Sequence, residues 1–204
     1  MNHLRCFLLF ATVWAVGQTA QLSRLPNDPE ALVRSLYQQV VARHPTGLPR
    51  GADMKILSPY LSQQLLHRMD LADDCARDWV RQDQERMLSK DQVPEKTPFG
   101  WAESGLFSGA SERTEPDVFL IERTEAEKDG SIRVYVKFTL SSPPSETWEV
   151  ATVLVRENGH SVVDDVIYMT ANSDPADVWL SKILSDGCDG PRWVGSGHRR
   201  TNTK

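Results

Sequence analysis

The dipeptide Asn158-Gly159 sits inside the β-rich stretch Glu146–Met169. A two-residue type I′ turn needs positive φ at both central positions, and Asn-Gly adopts it readily, so the stretch reads as a hairpin. Counting back from such a turn sets a register. Glu157 faces His160, Val155 faces Val162, Val153 faces Asp164, Thr152 faces Asp165 and Val150 faces Ile167. Strand alternation then puts Trp148, Val150, Thr152, Leu154, Val163, Asp165 and Ile167 on one face. Glu149, Ala151, Val153, Val155, Val162, Asp164, Val166 and Tyr168 take the other. Both faces are largely apolar, so each needs a cover.

A second hairpin precedes it. Asp117–Ala126 and Ser131–Leu140 flank the turn signal Asp129-Gly130. Ile132, Val134, Val136, Phe138 and Leu140 alternate strictly and define a core face. Arg133, Tyr135, Lys137 and Thr139 point the other way. Parity across the turn places Phe119, Ile121, Arg123 and Glu125 on the core face. Ser141–Ser145, with Pro143-Pro144, links the two hairpins into a four-stranded antiparallel meander.

Helical signals dominate the first half. Asp28-Pro29 is a cap followed by a first-turn proline. Leu32, Val33, Leu36, Tyr37, Val40 and Val41 form one stripe that Pro45-Thr46-Gly47 ends. Asp53–Leu57 reads as a short turn of helix. Ser58-Pro59 repeats the cap-and-proline start, followed by Leu61, Leu65, Leu66 and Met69 at helical spacing. Ala72, Cys75, Ala76, Trp79, Val80, Asp83 and Met87 continue it, with Asp70–Asp74 as a break into two helices. Ser89–Pro116 has no sustained period and is long for a connection. Phe99, Trp101, Leu106 and Phe107 within it point to docking, either as a lid or rim or as a loop stapled to the core. Asp174-Pro175 starts a last helix with Val178, Trp179, Ile183 and Leu184 inward and Gly187 as its C-cap. The expected fold class is α+β: N-terminal helices packed on a curved antiparallel four-stranded sheet, with a C-terminal helix. It forms one domain over residues 28–195, with a polar, disordered tail at 196–204.

The chain has 204 residues and a formal net charge of −5. That charge is spread along the chain and carries no nucleic-acid footprint. Met1–Ala20 has the layout of a secretory signal: Arg5, the apolar run Phe7–Val16, then small residues. The run is short for a membrane span and no second one follows. The chain is therefore expected to be exported, periplasmic or secreted, with no membrane association beyond the signal. Removal of Cys6 with the signal leaves Cys75 and Cys188, an even pair in an oxidising compartment, which reads as a disulfide.

The helix start Ser58-Pro59-Tyr60-Leu61 and the closing strand Val163-Asp164-Asp165-Val166-Ile167-Tyr168, in this element order, resemble the nuclear-transport-factor-2-like superfamily, the cystatin-like α+β cone. Within it the chain is similar to exported bacterial domains of unknown function. These share a Gly-Leu-Phe-Ser-Gly-like loop, here Gly105–Gly109, and a late Gly-Cys followed by Trp-Val-Gly, here Gly187-Cys188 and Trp193–Gly195. The resemblance covers about residues 28–195. It implies a bent sheet around a pocket closed by helices. Some members are isomerases or dehydratases and many only bind, so the fold leaves the function open. The Asp/His dyads of the dehydratases have no match here.

Asp164-Asp165 cannot act as a dyad, because adjacent strand residues point to opposite faces. Asp165 and Arg123, each read onto an apolar face, are expected to meet there as a structural ion pair or as a polar pocket floor. With Trp148, Thr152 and Trp101 they are the candidate ligand-binding residues. No catalytic residue, metal site or cofactor is assigned. The histidines His44, His67 and His160 lie at a helix end, on a polar helix side and beside a turn. No nucleophile elbow, Walker loop or dinucleotide fingerprint occurs. The expected function is an exported, non-enzymatic domain binding a small ligand or an envelope protein, with a homodimer left open. Two alternatives stand beside it. One is an immunity or inhibitor protein against a cell-wall hydrolase or toxin. The other is a small-molecule isomerase or hydrolase using a pocket carboxylate, Asp165 with Tyr168.

Overall fold

The computed structural model describes residues 27–88, 97–111, 115–169 and 179–188. The expected leader, the Asp174-Pro175 helix start, Trp193–Gly195 and the tail lie outside them. The chain forms α1 (Pro29–Arg43), α2 (Gly51–Leu57), α3 (Gln63–Met87), β1 (Val118–Ala126), β2 (Ile132–Leu140), β3 (Glu146–Glu157), β4 (His160–Met169) and α4 (Leu180–Ser185). The sheet is antiparallel in the order β1-β2-β3-β4, the expected meander. The α+β reading holds.

α1 starts as its sequence dictates. The Asp28 carboxylate accepts from the Ala31 N–H at 2.9 Å, and Pro29 occupies the first turn, where a missing N–H costs nothing. Leu32, Val33, Leu36, Tyr37 and Val40 are buried. The Asn158-Gly159 turn has φ of 52° and 83°, as a type I′ turn requires.

α3 differs from expectation in two ways. Ser58–Tyr60 is a single 3₁₀ turn, and the helix begins at Gln63 with Ser62 as its cap. The cause is a strand-like contact. Leu61 bridges Val163, and the Ser62 N–H donates to the Val163 carbonyl at 2.8 Å, so the chain is extended between turn and helix. The Asp70–Asp74 break does not occur, because this acidic run is exposed and paired. Asp73 meets Arg50 and Arg77, and Asp74 meets Arg77. Opposite charges at i,i+3 and i,i+4 support a helix rather than interrupt it.

The described part of α4 begins at Leu180. Trp179 is extended, bridges Ile167 of β4 and precedes the helix rather than lying within it. Gly187, with φ of 80°, follows the helix end as expected.

The strand registers carry the main correction. Near the Asn158-Gly159 turn the pairing is as counted, down to Leu154 opposite Val163. There the register shifts, so that Val153 faces Asp165, Thr152 faces Val166 and Val150 faces Tyr168. Asp164 is the extra residue of a β-bulge. A second shift lies between Ile121 and Arg123, where Glu122 is extra and Arg123 faces Tyr135. A bulge reverses the facing of every residue beyond it. Asp165 and Ile167 therefore move to the outer face, while Val166 and Tyr168 turn inward. Arg123 and Glu125 likewise move outward. Arg123 and Asp165 do not meet: Arg123 reaches Glu125 and Glu149, each at 3.0 Å. Both bulges sit on the edge strands, where such irregularities discourage pairing with other chains.

The core fills the space between the inner sheet face, α1, the first half of α3 and the segment Phe99–Ala110. Cys75, on the buried side of α3, and Cys188, just past α4, stand at disulfide distance with Cα atoms 5.9 Å apart. That separation is ordinary for a disulfide.

Candidate functional site

The inside of the curved sheet is occupied by the chain itself. Gly105–Ala110 folds into a closed loop, with the Gly105 N–H donating to the Ala110 carbonyl and the Gly109 N–H returning to the Gly105 carbonyl. Leu106, Phe107, Ser108 and Ala110 are buried. Three successive carbonyls of this loop each receive a bond from an aromatic side chain. Tyr168 Oη donates to Leu106, Tyr37 Oη lies 3.1 Å from the Phe107 carbonyl, and Trp148 Nε1 donates to Ser108 at 2.6 Å. Buried carbonyls need such donors, and each donor here comes from a different element. Burial raises the pKa of both phenols above their ordinary value, so they remain O–H donors throughout the physiological range.

These bonds account for two of the expected binding residues. Thr152 is fully buried, with its hydroxyl 2.6 Å from Tyr37 Oη. Trp148 stacks on Phe138 at 5.8 Å and holds the loop. Trp101 is also buried, against Phe99 at 5.3 Å between ring centres. Phe99 in turn meets Trp79 edge-on. The described part of the long connection, residues 97–111, is thus stapled by its aromatics, one of the two readings made for it.

Arg123 belongs to a half-exposed network on the outer face. Its guanidinium lies over the Tyr135 ring at 3.4 Å, and Tyr135 Oη bonds Glu125 at 3.0 Å. The hydrogen bonds from Arg123 and Tyr135 hold the Glu125 carboxyl below its usual range.

Asp165 is buried on the outer side and caps α4 from another element. Its Oδ1 accepts from the Ser181 N–H at 3.0 Å and from the Val166 N–H at 2.9 Å, and Oδ2 lies 3.6 Å from Arg68. Trp179 at the cap position offers no side-chain acceptor, so Asp165 supplies what the helix start lacks. Burial nevertheless raises its pKa above the usual value. Asp165 and Tyr168 face opposite sides of β4 and cannot share a substrate.

A prediction follows from the cap. Asp165→Ala should destabilise the fold by about 1–2 kcal/mol, the usual cost of a lost cap. Asp165→Asn should largely restore it, because one amide oxygen can accept both N–H groups. A folded pKa above the unfolded value means that this carboxyl's contribution is complete below the unfolded pKa. It is lost as pH rises through the folded one. Relative to Asp165→Asn, the parent should therefore lose stability between acidic and neutral pH. Arg123→Ala, at an exposed ion pair, should shift melting less than Asp165→Ala. Identical urea midpoints for the Asn and Ala variants would end the capping account.

The candidate recognition site is the open groove beside the plugged interior. It measures about 490 Å³ and is lined by Pro98, Gly100, Ser104, Gly109, Tyr168, Ile183 and Asp186. The loop supplies one wall, α4 the other, and the Tyr168 ring lies against Gly109. Sequence reasoning missed this groove, because its residues come from segments up to 88 positions apart, Pro98 to Asp186. Among the described residues, no group of three or more His, Cys, Asp and Glu side chains is placed to hold a metal ion. No helix among them is long and apolar enough to cross a membrane. In comparisons with known proteins, no family model, no curated protein and no solved structure matches the chain.

Proposed function

We propose that the chain is an exported, non-enzymatic binding domain of the nuclear-transport-factor-2-like type, which recognises an envelope partner with its surface rather than a ligand in its interior. The observation that carries this reading is the plug. Leu106, Phe107 and Ser108 fill the concave side of the sheet, and Tyr168, Tyr37 and Trp148 bond their carbonyls. A small-molecule pocket would need that space. The groove between the loop and α4 is concave, combines ring, aliphatic and carboxylate surfaces, and has the volume typical of a recognition site. The Cys75–Cys188 geometry suits an oxidising compartment, which supports export.

A groove-filling variant tests the reading. Gly100 borders the groove, and a Cβ built on it meets nothing within 4 Å, so Gly100→Trp fills the groove without disturbing the core. Immobilised parent protein should retain an envelope component that the Gly100→Trp protein does not. Equal retention by both proteins, or retention by neither, overturns the proposal.

A further inference from the structure

The Gly105–Ala110 loop borders a second, smaller hollow besides the groove. Ser104 and Gly109 line the groove, whereas their neighbours Gly105 and Ser108 line this cleft, together with the end of α1 and the lead into β1. We infer that the cleft receives the primary ammonium group of a lysine side chain presented by the partner. The inference rests on the chain recognising a partner with its surface, and it adds a second contact point to the groove.

Size supports it first. The cleft measures about 20 Å³, which is room for one water-sized group. An ammonium is a compact charge of that size, whereas a guanidinium is a broad plane. Val40 and Pro45 give the walls apolar surface, on which the methylene stem of a lysine can lie.

Polarity supports it second. His44 Nδ1 lines the cleft shut off from solvent and makes no hydrogen bond. It stands 3.8 Å from Glu115 Oε2, too far to bond it directly. A group that donates to both atoms satisfies both. Glu103 brings a second carboxylate to the lining. Neither acid pairs with a lysine or arginine among the described residues. Arg43, the cation next to His44 in sequence, is taken by Asp53 at 2.6 Å. The cleft therefore asks for a cation rich in donors, and an ammonium carries three donors and no acceptor. His44 itself closes α1 in the left-handed region, at φ of 46°. Glycine would hold that turn with less strain, so the histidine is accounted for by its ring.

Titration of the full chain with Nα-acetyl-lysine methylamide, followed by the backbone amide resonances of Gly105 and Ser108, tests this. Both resonances should move saturably, with a dissociation constant in the millimolar range expected of one anchored side chain. The arginine and Nε-trimethyl-lysine counterparts do not fit and should bind at least about tenfold more weakly, the cost of a lost charged hydrogen bond. Methylamine, which has the head without the stem, should bind about fivefold more weakly. His44→Gly keeps the left-handed cap and removes the imidazole, and Glu115→Gln keeps the shape and removes the charge. Each should weaken lysine binding about fivefold or more while the protein stays folded. Gly100→Trp fills the groove alone and should leave the titration unchanged; a change there places the probe in the groove and overturns the inference. Still resonances, equal affinity for the lysine and arginine compounds or for lysine and methylamine, or unaltered binding in both cleft variants also overturn it. If Gly100→Trp still abolishes retention of an envelope component in that case, the groove remains the partner site and only the cleft's role falls.

Discussion

Reduction of the purified protein should add the mass of two hydrogens, and only then should Cys75 and Cys188 become alkylatable under denaturing conditions. The same change should lower stability more than any single polar substitution considered above. The bond would join residues 113 apart in sequence. For a loop of that length the chain-entropy model gives about 4–5 kcal/mol as an upper figure. In a domain of this size that corresponds to a drop of about 10 °C in melting temperature. The double variant Cys75→Ser/Cys188→Ser should melt with the reduced protein. Both cysteines are buried, so part of any loss in that variant comes from placing hydroxyls in the core. Cys75→Ala/Cys188→Ala separates the two effects. Two thiols that alkylate without reductant would dismiss the bond. α4 would then be held through Leu180 and Leu184, both buried, and through the Asp165 cap.

The second large effect is expected at Gly109. Its φ is 70°, and an added Cβ would stand 2.7 Å from Tyr168 Cδ1. The left-handed backbone costs a non-glycine residue about 1–2 kcal/mol. The ring cannot retreat freely, since its hydroxyl is bound to the Leu106 carbonyl. Overpacking of this kind adds about 1–3 kcal/mol. Gly109→Ala should therefore destabilise the protein by about 3 kcal/mol, read from chemical unfolding. Gly130→Ala is the control: its φ of 86° imposes similar backbone strain, but nothing lies within 4 Å of its added Cβ. Equal losses at the two positions would mean that the Tyr168 contact contributes nothing.

Much of the architecture was legible because it rests on local chemistry. Asp28-Pro29, Asn158-Gly159 and Asp129-Gly130 each specify a backbone shape that few residues tolerate, and each stands where it was read. The registers beyond the turns were not legible in the same way. A bulge adds one residue with no special composition, so counting from Asn158-Gly159 fails after Val163. One signal was nevertheless present. Strict alternation placed Asp165, Arg123 and Glu125 on apolar faces, and charges assigned to a core face in two strands are the mark of a miscounted register. With one residue skipped in each strand, all three turn outward, and Val166 and Tyr168 fall into the core. The plug was half legible. Its aromatics announced docking, but the acceptors for Tyr37, Trp148 and Tyr168 are backbone carbonyls, which leave no trace in a sequence.

Those three bonds also constrain the order in which the molecule can be completed. Tyr37 reaches a carbonyl 70 residues downstream and a hydroxyl 115 residues downstream. Trp148 and Tyr168 reach back 40 and 62 residues to the same loop. A chain emerging from the ribosome holds α1 and the Gly105–Ala110 segment long before it holds the strands that latch them. Until Tyr168 has been made, the Leu106 carbonyl lacks its donor. The molecule therefore gains its closed core in one late step, and contacts of such long range make that step slow. A polypeptide built this way can complete its core only once β4 has been synthesised.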